Sequence, residues 1–248
     1  MRFLSLYTLL LLLLISCRKQ NTLDCFRPNG PTVTEQRQTV PFFYITVFDN
    51  MDVTIEQGAE FKVEVTGGKN ILSDITTRVS DSTLVVENLN ICNFVRGYRR
   101  RVSVKITAPN VVRVTNMGVG PVMLSGDVVQ DFIRVRTESS GDVYIKGTFT
   151  TIETSAHGNG DIYLEGKAAS LHVYTYGTNF LFGEKMIVSD YMYISTESLG
   201  DITLNCHSLG QLDYLIHSSG NIVCKGSPGI TRELGRAKGS TGQLIAEN

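Results

Sequence analysis

The sequence predicts an all-β fold, a right-handed parallel β-helix (β-solenoid) entered through a strand-rich N-terminal section. Three observations carry that expectation. Short runs that alternate apolar and polar residues recur from Phe42 onward. No stretch of twelve residues beyond the N-terminal apolar segment sustains a helical period. From Gly120 a unit of strand, turn, strand, turn repeats about every twenty residues.

In chain order, residues 1–16 read as a signal peptide. Arg2 supplies the positive start, and the Leu9–Ile15 run is too short to span a bilayer. The segment ends in Leu14-Ile15-Ser16-Cys17, which resembles a bacterial lipobox, so Cys17 is the expected lipidation site and the partner it implies is a membrane. Acyl chains there would anchor the protein stably, each buried CH2 contributing about 0.8 kcal/mol. Arg18 argues against inner-membrane retention, so an outer-membrane lipoprotein of the bacterial cell envelope is expected, periplasmic or surface-facing. Residues 17–39, with Pro28, Gly30 and Pro31, read as a lipidated tether.

Residues 40–115 form the N-terminal β section. Its strands are Tyr44-Ile45-Thr46-Val47-Phe48, Met51-Asp52-Val53-Thr54-Ile55, Phe61-Lys62-Val63-Glu64-Val65, Thr83-Leu84-Val85-Val86, Val102-Ser103-Val104-Lys105-Ile106 and Val111-Val112-Arg113-Val114, with turns at Gln57-Gly58 and Gly67-Gly68. Residues 116–248 hold the repeats, and 40–248 is expected to be one continuous domain. The units begin at Gly120, Gly141, Gly160, Thr178, Gly200 and Gly220, spaced by 21, 19, 18, 22 and 20 residues.

That period suits one coil of a solenoid, each strand pairing with its equivalent about 4.8 Å along the axis. Alternation then places Val122, Val143, Ile162, Phe180, Ile202 and Ile222 in one inward column, and Leu124, Ile145, Leu164, Phe182, Leu204 and Cys224 in a second. Met123, Tyr144, Tyr163, Leu181, Thr203 and Val223 face out. Asp142, Asp161, Asn179, Asp201 and Asn221 recur at one corner, where short polar side chains bond to nearby backbone.

Taken together, the Phe48–Gly58 opening and the signatures Gly141-Asp142, Gly160-Asp161, Gly200-Asp201 and Gly220-Asn221 resemble the head GIN domain family, described as autotransporter adhesins of Bacteroidetes. The resemblance spans about residues 42–246. It implies a β-helix-like fold in lipoproteins or secreted proteins, an adhesive role, and no catalytic residues. The sequence departs from the pattern at Gly118-Val119-Gly120-Pro121 and at Thr178-Asn179, where the acidic residue is missing.

Composition excludes some partners. Lys plus Arg number 23 against 24 Asp plus Glu, so no chain-wide field favours nucleic acid. Cys25 with Cys92 is a permitted disulfide in an exported protein. Cys206 lies two residues out of register with Cys224, which at coil spacing gives about 8 Å between Cα atoms, beyond disulfide reach, so no bond is expected and Cys224 reads as a core thiol. Cys-x-x-Cys is absent and the spacing of Cys206, His207, His217 and Cys224 is too loose for structural zinc, so neither metal nor cofactor is expected.

The equivalent settings of Asp142 and Asp161 argue against a catalytic pair, which needs unlike environments. No catalytic residue is therefore named, and an enzyme is not expected. The candidate ligand-binding residues are Tyr144 and Tyr163, an outward aromatic ladder suited to sugar rings, and the cationic cluster Arg99, Arg100 and Arg101, suited to an anionic glycan or headgroup. The expected function is a non-catalytic adhesin or glycan-binding module with a carbohydrate or cell-surface ligand. The alternative is a β-helix polysaccharide lyase or hydrolase, and the flat outer sheet also permits a homo-oligomer.

Overall fold

A computed structural model describes residues 28–90 and 101–247. The signal segment, Cys17, Cys25, Cys92, Arg99 and Arg100 lie outside the described residues. The first strands are β1 (Thr32–Arg37), β2 (Tyr44–Val47), β3 (Met51–Gln57), β4 (Lys62–Gly68), β5 (Ile75–Ser80), β6 (Thr83–Asn88), β7 (Val102–Ala108), β8 (Arg113–Asn116) and β9 (Val122–Ser125). The repeats contribute β10 (Val129–Thr137), β11 (Val143–Gly158), β12 (Ile162–Gly177), β13 (Leu181–Ser198), β14 (Ile202–Asn205), β15 (Gln211–Ile216), β16 (Ile222–Lys225), β17 (Ile230–Arg236) and β18 (Leu244–Glu247). The only helical element among the described residues is a 3-10 turn at Leu72–Asp74.

The strands stack as the parallel solenoid that the period implies. One long side, the front face, runs in the order β7, β3, β9, the first part of β11, β12 and β13, then β14, β16 and β18, all parallel. The back face runs β6, β2, β8, β10, the last part of β11, β12 and β13, then β15 and β17. In the middle coils a single strand turns the corner between the two faces.

Inward positions alternate with outward ones along each coil, and this gives one continuous core. Val122, Val143, Ile162, Leu181, Ile202 and Ile222 form a single buried file. The file differs from the expected one at a single rung, where Leu181 takes the place expected for Phe180, which is 42% exposed. The Thr178-Asn179 unit has no Gly-Asp marker, so its alignment slips by one residue, and in a strand one residue exchanges the faces. Asn179 in fact occupies the glycine position and Phe180 the aspartate position: the Phe180 N–H donates to Asp161 Oδ1 at 2.8 Å, as the Asp161 N–H does to Asp142 Oδ1 at 3.0 Å. For the same reason Phe182 points outward and Gly183 pairs with Leu204 in the second inward column.

A second correction concerns the cysteines. Cys206 and Cys224 form a disulfide, with Cα atoms 5.6 Å apart. The straight-strand estimate fails because β14 ends at Asn205 and the chain bends inward at Cys206. The Cys206 N–H donates to Lys225 O at 2.7 Å, and both cysteines are buried. Cys224 does face the core, but oxidised.

The N-terminal section is part of the same stack. β2 lies between β6 and β8, and β3 between β7 and β9, so the coil made from residues 44–57 is inserted between two coils made later in the chain. Antiparallel pairing of β1 with β4, β4 with β7, and β5 with β6 closes that end.

Candidate functional site

The outward positions of the front face make three parallel columns, because cross-coil register repeats each side chain at about 4.8 Å. The corner column is Asp142, Asp161, Phe180, Asp201 and Asn221. Its carboxylates and amides are engaged with backbone: the Asn221 N–H donates to Asp201 Oδ1 at 2.7 Å and the Gln243 N–H to Asn221 Oδ1 at 3.0 Å, continuing the bonds at Asp142 and Asp161. Each Asp or Asn side chain of the column thus secures the next coil, the turn-stabilising use that its residue type favours, and Phe180 interrupts the series.

Next to it stands the aromatic column. Tyr144 and Tyr163, in register on β11 and β12, stack with ring centroids 4.5 Å apart and planes 9° from parallel. Phe182 extends the stack at 4.8 Å and 17°, and Met123, 41% exposed, lies beyond Tyr144. The predicted pair is therefore brought together, with Phe182 as the third member in place of the expected Leu181. The same frame slip concealed Phe182; placing Leu181 in the inward file would have found it.

The third column is Ser125, Lys146, Glu165 and Lys185. Between the second and third columns runs a groove of about 310 Å³, lined by Met123, Tyr144, Tyr163 and Phe182 on one side and by Lys146, Glu165, Glu184 and Lys185 on the other. Lys146 and Glu165 pair across the coils at 2.6 Å, and Glu184 pairs with Lys225 at 3.7 Å. Lys185 is exposed and forms no ion pair with any described residue within 4 Å.

Electrostatics follow from this layout. Burial, and then the charge of Asp142, push the Tyr144 hydroxyl up to about 12. Tyr163 moves up for the same reasons. Burial raises Asp161, the bond from the Phe180 N–H opposes that shift, and the Asp142 charge adds to it. The hydrogen bond to Lys146 lowers Glu165 and raises Lys146. The tyrosines are neutral hydrogen-bonding groups at physiological pH, and Asp142, Asp161 and Asp201 each accept a backbone N–H of the next coil at Oδ1. Among the described residues no His, Cys, Asp and Glu group converges as a metal site.

Arg101 does not join the groove. It lies beside β7, two strands beyond β9 on the front face, and pairs with Asp52 at 3.1 Å. The cationic cluster is otherwise outside the described residues. Sequence reading also missed an aromatic group on the back face. His157 stacks on Tyr176 at 4.5 Å, and His172 lies 5.7 Å from Tyr191, while Tyr174 lies 5.7 Å from Tyr193. The signal was present in the alternating run Leu171-His-Val-Tyr-Thr175, whose outward members are the polar rings.

Comparison with known proteins agrees with this architecture. Residues 41–228 match a family described as "Putative auto-transporter adhesin, head GIN domain". A crystal structure of "a putative adhesin" from Bacteroides fragilis is 23% identical, with TM-score 0.79, covering 89% of this chain and 99% of its own. A "putative lipid binding protein" from Parabacteroides distasonis is 18% identical, with TM-score 0.66 and coverage of 89% and 98%. "A putative adhesin" from Parabacteroides merdae is 16% identical, with TM-score 0.59 and the same coverage. No curated protein sequence matches the chain.

Proposed function

Given that the chain belongs to the head GIN domain family, we propose that it is a non-catalytic adhesion module of the bacterial cell envelope. It binds its ligand along the front-face groove and is held at the membrane by a lipid on Cys17. The observation that supports this reading is the outward column Met123, Tyr144, Tyr163 and Phe182: apolar side chains collected on the solvent side of a sheet mark a contact surface. The binding reading is also supported by the relatives, whose descriptions name adhesion and lipid binding rather than catalysis. A lyase or hydrolase would need free, unlike acid and base groups, whereas Asp142 and Asp161 each hold the next coil's backbone.

The soluble protein from residue 28 onward, tested on a glycan array and against lipid ligands, is expected to give a signal that falls at least tenfold in Tyr144→Ala/Tyr163→Ala at an unchanged melting temperature. A signal untouched by the double substitution would place recognition elsewhere. For the anchor, radiolabelled palmitate is expected to enter the full-length protein in bacterial cells and not its Cys17→Ser variant. Labelling of both would remove Cys17 as the attachment point.

A further inference from the structure

We infer that the front-face groove takes a single unbranched acyl chain, with an anionic head at Lys185. This deepens the groove reading above and rests on it. The orientation of the rings comes first. Tyr144, Tyr163 and Phe182 lie nearly parallel at stacking distance, so their faces are spent largely on one another. What they offer the groove is a continuous wall of ring edges. The face of an aromatic ring carries its negative charge and its edge the positive, so a sugar that seeks ring faces finds only those at the ends of the stack. An aliphatic chain makes no such demand, since burial of apolar surface is non-directional.

Shape is the second argument. The groove follows the solenoid axis from Met123 to Phe182, three rungs of about 4.8 Å, or about 14 Å in all. If a methylene takes roughly the 30 Å³ share of a water molecule in the liquid, its 310 Å³ accommodates about ten. The site is therefore long, narrow and apolar along one wall, the form of an extended chain rather than a ring.

Charge supplies the third. On the opposite wall Lys146 pairs with Glu165 and Glu184 with Lys225, while Lys185, at the Phe182 end, forms no ion pair within 4 Å among the described residues. Its charge reaches the Glu165 carboxylate that Lys146 already holds, so two ammonium groups share one carboxylate. An apolar trough ending at one surplus ammonium complements a chain carrying one negative charge at its end.

The test uses dodecanoate, hexanoate and dodecanol below their aggregation limits, titrated calorimetrically into the soluble protein. Dodecanoate is expected to bind, hexanoate at least tenfold more weakly, and Tyr144→Ala/Tyr163→Ala to lose dodecanoate. Lys185→Gln, a surface change that spares the fold, should weaken dodecanoate several-fold and leave dodecanol unchanged. A second groove variant, Ser125→Phe, should obstruct the end near Met123 and weaken all three. Dodecanoate binding that survives the tyrosine substitutions would overturn the inference. No dodecanoate binding, with a glycan signal that the tyrosine pair abolishes, would overturn the acyl chain and keep the groove. No groove-dependent signal with either class would overturn both.

Discussion

The recurring Gly-Asp pair acts through contact with the neighbouring coil. A Cβ on Gly160 would lie 2.4 Å from Gly141 O, and one on Gly220 would lie 2.2 Å from Gly200 O, while neither glycine has a positive φ. Close approach of the coils, rather than a left-handed backbone, excludes larger residues there. Gly160→Ala is accordingly expected to cost about 1–3 kcal/mol, the usual penalty for overpacking, read as a lower urea midpoint at constant m. The following Asx residue caps the next coil, and Asp161 pays a penalty for doing so as a partly buried anion. Its pKa is raised in the fold, so the folded state holds its proton more tightly than the unfolded chain, and stability falls as pH rises from the ordinary carboxylate range through the raised value. Asp161→Asn keeps the acceptor oxygen, and Asn221 shows the alternative at the same rung position, its amide donating to Asp201 Oδ1 at 3.1 Å. The variant should unfold at higher urea than wild type at pH 7, and the advantage should vanish in acid. The motif itself was readable in the sequence; its cause was not, because the atoms that exclude a side chain at Gly160 belong to a residue nineteen positions earlier.

At the scale of the strand, alternation identified the inward files wherever a Gly-Asp marker set the frame, and failed at β13, where the marker is absent. There Asn179 takes a buried glycine position and donates its amide to Gly158 O at 3.0 Å. The coil also carries register shifts, between Tyr163 and Glu165 and between Ala168 and Ser170 of its neighbour, that equal spacing cannot anticipate. The Cys206–Cys224 bond was hidden for a related reason: its geometry depends on a bend that follows β14, and strand periodicity contains no bends. That bond closes a loop of 18 residues late in the stack. Cys206→Ser/Cys224→Ser should cost about 3 kcal/mol on the loop-entropy scale. Hydrogen exchange should show the loss first in β14, β15 and β16, since each coil in such an array rests only on its neighbours.

Over the whole molecule, the two ends of the stack are finished differently. At the C-terminal end, β17 places Thr231, Glu233 and Arg236 opposite the buried Leu212, Tyr214 and Ile216. Glu233 accepts from Arg236 at 2.7 Å and from the Tyr214 hydroxyl at 3.2 Å, so the core ends under a layer of paired charge. Inward charge of this kind protects an open sheet edge from a second chain. Glu233→Val/Arg236→Val is expected to convert a concentration-independent sedimentation profile into one that shifts to larger species as concentration rises. The sequence made the parallel stack legible through its period, but left the other end unread. Pairing of β2 with β8 joins segments far apart in the chain, and alternation reports that a strand exists without naming its neighbour.

That insertion bears on synthesis. From β8 onward, coils can be laid down in chain order, each on a surface already in place. Residues 44–57 have no such surface when they emerge; both of their flanks stay open until β6 through β9 have been made. The early chain is thus the stretch most in need of shelter, and a chaperone acting on this protein should be found on it before β9 is complete.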